Sequence, residues 1–144
     1  MIDTIIKKAF LPATLVMTLL GTGVAVGQGK VTTVSKDSSS APITLSGMSG
    51  GSVNSGDCGS VADTPNQVIN VTERIDYMRV SVEAEGQPTL IVDGPSGRFC
   101  LLPDSFSGKP EMSGLFTEGV YKISVGDLSG AQHSFQLSIS QQKP

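Results

Sequence analysis

Apolar and polar residues alternate along much of the chain with a period of two. The clearest stretch is DYMRVSVEAE (76–85), where Met78, Val80 and Val82 fall on one side and Tyr77, Arg79, Ser81 and Glu83 on the other. Successive side chains of a strand point to opposite faces, so this is the pattern of a β-strand with one wet face. VYKISV (120–125) repeats it with Tyr121, Ile123 and Val125 inward, and HSFQLSIS (133–140) does so with Phe135, Leu137 and Ile139. QVINV (67–71), TLIVDG (89–94) and GRFCLL (97–102) add three strands, and another is expected to begin near Pro42. Turn-forming pairs separate them: Ser55-Gly56, Glu85-Gly86, Gly94-Pro95, Ser96-Gly97, Glu118-Gly119 and Ser129-Gly130. Nowhere does a helical period stand out. Short strands at regular spacing with polar turns predict an all-β domain, a β-sandwich or a barrel.

The N-terminus departs from this pattern. Lys7 and Lys8 precede an uncharged, mostly apolar run from Ala9 to Val26, and small residues Ala25 and Gly27 stand two apart. That is the layout of a secretory signal peptide over residues 1–27, with cleavage expected after Gly27. Retention of the run as a membrane anchor is the alternative, because it approaches the roughly 20 residues that span a bilayer; Pro12, Gly21 and Gly23 within it and Gly27 just after it weaken it as a helix. Residues 28–41 are rich in Ser, Gly and Thr and read as a flexible, disordered leader. The folded domain is expected over 42–144.

Charge narrows the partners. Losing Lys7, Lys8 and Asp3 with the signal segment takes 10 basic and 13 acidic residues to 8 and 12, a net of −4. Basic residues are scattered and there is no tryptophan, which argues against a nucleic-acid surface, where a basic stripe with interleaved aromatics is needed. The two cysteines, Cys58 and Cys100, form an even count in an exported chain, so a disulfide is expected. Reactive thiols would need activating His or Lys neighbours, and none adjoins either cysteine.

Three stretches carry a family likeness. GGSVNSGDCG (50–59), QPTLIVDGPSGRFC (87–100) and GVYKISVGDLSG (119–130) resemble, in order and spacing, small exported bacterial β-sandwich domains similar to the bacterial pre-peptidase C-terminal domain. The resemblance implies a single antiparallel, jelly-roll-like sandwich acting as an accessory or binding module, and it too implies a Cys58–Cys100 bridge. It does not carry a calcium site over. Where such domains place a run of aspartates after the second cysteine, this chain has Leu101-Leu102-Pro103-Asp104, and hard cations want several oxygen ligands.

Catalytic chemistry finds little purchase. His133 is the only histidine, it sits on the polar side of its alternation, and no G-x-S-x-G elbow exists. Asp93 and Asp104 follow successive strands, so a hairpin could bring them together as paired carboxylates or a weak metal site. Both also read as turn-forming aspartates that bond their own backbone. Asn70-Val71-Thr72 matches a glycosylation sequon lying within a strand.

The reading is therefore a secreted or periplasmic, non-enzymatic accessory or binding module. No cofactor is expected, and the partner is an extracytoplasmic protein or glycan. A small secreted inhibitor presenting LLPDSFSGKPEM (101–112) is an alternative, and a hydrolytic enzyme a weaker one. The candidate binding surface is Leu101, Leu102, Asp104, Phe106 and Met112, apolar residues on a Pro- and Gly-bounded loop directly after Cys100.

Overall fold

In the computed structural model, residues 30–144 are described; the segment read as a signal peptide lies outside them. Eleven strands run through the described residues: β1 (Lys30–Val34), β2 (Ile43–Met48), β3 (Val53–Asn54), β4 (Ser60–Val61), β5 (Gln67–Val71), β6 (Ile75–Ala84), β7 (Pro88–Gly94), β8 (Gly97–Leu101), β9 (Glu111–Phe116), β10 (Gly119–Asp127) and β11 (Ser134–Ser140). The only helical element among them is a 3-10 turn, Lys36–Ser40.

The strands form two packed sheets, the expected sandwich. In the larger, β10 is the central strand. It pairs with β7 along one edge (Val125 opposite Leu90), and with β5 and then β4 along the other (Ile123 opposite Gln67, Asp127 opposite Ser60). β8 continues the sheet beyond β7, β1 beyond β5, and β3 beyond β4. The smaller sheet runs β2-β11-β6-β9 and is antiparallel throughout.

Between the sheets lies the core that the alternation anticipated. Met78, Val80 and Val82 of β6, Phe135, Leu137 and Ile139 of β11, and Tyr121, Ile123 and Val125 of β10 are all buried there with Leu90 and Val92 of β7. Residues of opposite parity on β6 and β11, such as Glu83 and Gln136, face solvent. Burying each of these aliphatic side chains contributes about 1.5–3 kcal/mol, so the period-two pattern is itself the main stabilising feature.

Two expectations need correction. The supposed disordered leader, 28–41, is ordered from residue 30 onward: β1 pairs in parallel with β5 over its full length, and Val34 is fully buried in the core. Its C-terminal end is tied down by the Gln141 side-chain amide donating to the Ser35 carbonyl at 2.7 Å, and by the Glu73 carboxylate accepting from the Lys36 amide at 3.0 Å. The run Val31-Thr32-Thr33-Val34 is β-branched throughout, a composition suited to a strand, but its polarity conceals that on first reading. The second correction concerns 101–112, which is not loop throughout. Leu101 closes β8 and Glu111 opens β9, leaving 102–110 as the connection between the two sheets.

Cys58 and Cys100 are joined in a disulfide, with Cα atoms 5.9 Å apart. The bridge lies outside the main core. Cys100 and its register partner Ile91 have the opposite parity to Leu90 and Val92, so they project from the outer face of the larger sheet, where Cys58 and Val61 cover them as a separate small cluster. The segment carrying Cys58 is thus laid on the back of the sheet and stapled. Thr89 donates from its hydroxyl to the Cys58 carbonyl at 2.7 Å. Gly126 makes room for this, since a β-carbon there would stand 2.6 Å from that same carbonyl oxygen.

Candidate functional site

The connection 102–110 is short, polar in backbone terms and held from several sides. The Asp104 carboxylate accepts from the Phe106 amide at 3.0 Å, and its carbonyl accepts from the Gly108 amide at 2.7 Å. This is the turn-forming role anticipated for Asp104. Gly108 takes a φ of 65°, which a glycine adopts without the steric penalty of a β-carbon. Ser107 accepts from the Lys109 amide at 3.2 Å, and the Lys109 ammonium lies 3.4 Å from Glu83. At the end of the loop the Pro110 carbonyl accepts from the Val82 amide at 3.1 Å, fixing it to β6.

The apolar residues of this segment divide. Phe106 stands at the tip of the turn, 98% exposed, and Leu102 is 53% exposed at its base. Leu101 and Met112 are half-buried against the core, because each has the inward parity of its strand. They do not join the exposed pair, so the five candidates form a tip and a base, with Asp104 exposed between them. A shallow depression beside the loop is bounded by Leu102, Asp104, Ser107, Lys109 and Glu111.

Asp93 and Asp104 are not brought together. Asp93 lies opposite Arg98 at the turn end of the β7–β8 hairpin, whereas Asp104 follows the open end, beyond Leu101 and its partner Leu90. Three residues of strand alone place about 10 Å between those two levels. Asp93 instead faces cations, with Arg98 and Lys122 as its register partners.

Three charged groups escaped sequence reasoning as a set. Arg98 binds Asp57 through two parallel hydrogen bonds, at 2.8 and 3.0 Å, directly over the disulfide. The Arg98 guanidinium holds the Asp57 carboxyl below its ordinary range, its hydrogen bonds outweighing the cost of partial burial, and Asp57 in turn raises Arg98. Asp57 precedes Cys58 and Arg98 shares the face of Cys100, but that their side chains meet depends on how the Cys58 segment lies against β8. Oxygen of Asp57 and both sulfurs lie within 4.8 Å of one another. Because the sulfurs are spent on each other, that grouping offers a metal one ligand and no site.

The third is Asp127, wholly buried at the end of β10. Burial acts to raise its pKa, but donation from the Ser129 hydroxyl and amide and from the Gln87 amide, with attraction from His133, brings it below the usual carboxylate value. His133 packs its ring near Gly86 and Asp127, half-buried, and its backbone exchanges hydrogen bonds with Ser49. Asp127-Leu128-Ser129-Gly130 is a turn signature, Asp first and Gly last, so its structural role was legible.

No family model matches the chain. The uncharacterized protein Synpcc7942_2126 of Synechococcus elongatus is 41% identical over 100 residues, 67% of this chain and 73% of that protein. Among solved structures, the pre-peptidase C-terminal domain of a collagenase from Bacillus anthracis has a TM-score of 0.51 at 16% identity, over 79% of this chain and 98% of that one. The likeness is one of fold, and it agrees with the resemblance read in the three motifs. PliG of Salmonella Typhimurium, a periplasmic lysozyme inhibitor of g-type lysozyme, has a TM-score of 0.44 at 17% identity, over 78% of this chain and 98% of that one.

Proposed function

Since the chain belongs to the family of the uncharacterized Synpcc7942_2126 protein of Synechococcus elongatus, whose name assigns no activity, we propose that it is an exported, non-enzymatic module that binds a partner protein through the 102–110 loop. One observation carries the reading: Phe106 is 98% exposed at the tip of a turn that Asp104 holds in shape, its carboxylate accepting from the Phe106 amide and its carbonyl from the Gly108 amide. A large aromatic side chain left in water is a standing unfavourable contact with solvent, and burying it in a partner's pocket relieves that. Because the turn is already formed, binding loses little conformational freedom. A convex tip with Leu102 behind it fits a concave protein pocket. With Asp104 and Lys109 cancelling in charge, the loop offers no cationic attraction to an anionic membrane surface. Export is supported by the disulfide, which persists in oxidising compartments.

The test is a photo-crosslinking residue placed at position 106 of the full chain and expressed in its own cells. Irradiation should give one discrete protein adduct, and a probe at Leu128, equally outside the core, should not. Identical patterns at both positions, or lipid adducts alone, would remove the reading. Phe106→Ser should abolish capture of the adducted protein while changing stability by less than about 0.5 kcal/mol.

A further inference from the structure

The disulfide is buried on one side only. Cys58 is fully enclosed by Val61 and Ile91, while Cys100 is partly exposed at the outer face of the larger sheet. Over this opening lies the Asp57–Arg98 pair, its carboxylate within 4.8 Å of both sulfurs and its guanidinium fixed by two hydrogen bonds. We propose that Cys100 is a site of thiol–disulfide exchange with external thiols, and that the Asp57–Arg98 pair regulates the rate of attack on it.

The chemistry follows from access and charge. Cys100 is partly exposed where Cys58 is fully buried, so the attack of an incoming thiolate falls on the Cys100 sulfur. A new sulfur–sulfur bond forms to Cys100, the Cys58–Cys100 bond breaks, and Cys58 leaves with the electron pair as a thiolate that takes a proton from water. A second thiol then removes the first from Cys100, giving an external disulfide and two protein thiols. The attacking group and the leaving group are both anions, so a carboxylate at this range opposes the step and a guanidinium beside it offsets that opposition.

Return is favoured after the first step. The Cys58 segment keeps contacts that do not depend on the bridge: Ser55 donates to the Gly59 carbonyl at 2.6 Å, Thr89 to the Cys58 carbonyl at 2.7 Å, and Arg98 to Asp57. Cys58 is therefore held within reach of Cys100 at high effective concentration, and it re-forms the staple by expelling the external thiol. Gly59 contributes to the same placement. Its φ of 69° and the approach of the Asp127 carbonyl leave no space for a β-carbon.

Reduced glutathione is a suitable probe on the folded full chain, with acid quenching and peptide mass mapping. Glutathione should be found on the Cys100 peptide at more than about ten times the level on the Cys58 peptide, following the difference in access. Asp57→Asn should speed exchange by about fivefold at low salt, and Arg98→Gln should slow it by a similar factor, both effects shrinking as salt is raised. Equal labelling of the two cysteines would overturn the directional attack. A rise in rate with both substitutions would show that the pair is only a mechanical clamp and would overturn the electrostatic control. Both residues are exposed, and an unchanged melting temperature confirms that the variants remain folded.

Discussion

Asp127 shows how one buried carboxylate organises two turns. It accepts from Ser129 at the start of its own turn and from Gln87 in the turn before β7, and nothing of it reaches solvent. Its folded-state pKa is lowered, so its contribution to stability is complete above the ordinary carboxylate range and is lost as pH falls through the folded value. Asp127→Asn should therefore lower stability at pH 7 by about 1–3 kcal/mol. Its melting temperature should also fall less steeply than that of the natural protein below about pH 4. Thermal unfolding across pH checks both. Gln67 is the opposite case. It has the inward parity of β5, it is buried, and its side-chain oxygen has no hydrogen-bond partner. A buried acceptor left unpaired is destabilising, so Gln67→Met, which keeps the shape, should raise stability by about 1 kcal/mol in chemical denaturation.

Among the elements, β1 and the β8–β9 connection separate pattern from context. The long alternating strands β6, β10 and β11 form where their apolar residues recur, because only one pairing face puts all of those residues in the core. β1 has no such signature. It is ordered because β5 offers it a parallel edge and because a single residue, Val34, reaches the interior. Val34→Ala should cost about 1–3 kcal/mol, while Val31→Ala, exposed on the same strand, should cost less than about 0.5 kcal/mol. Equal effects at the two positions would argue against the parallel register. The loop after β8 was legible as a segment bounded by Pro and Gly. That Leu101 and Met112 turn inward while Phe106 and Leu102 stay out depended on where the strands stop, which their local sequence leaves open by a few residues.

In the whole molecule, the disulfide closes a separation of 42 residues and fastens the Cys58 segment to the back of a sheet whose main core lies on the other side. On the loop-entropy model, replacing both cysteines by alanine should remove roughly 4 kcal/mol. Hydrogen exchange should locate the earliest loss of protection in 55–61, with β6, β10 and β11 remaining protected longest. Uniform loss across both sheets would place the staple within the cooperative core instead. The amino-acid sequence by itself determined the all-β class, the inward faces of its alternating strands, the bridge and the turn role of Asp104, because each rests on neighbours in the chain or on there being only two cysteines. The tertiary structure alone decided that β1 is a strand, that Asp93 and Asp104 lie apart, that Asp57 meets Arg98, and that Phe106 stands free. Each of those outcomes depends on which strands become neighbours across the sheets, and contacts between residues far apart in the chain are not encoded in any local period.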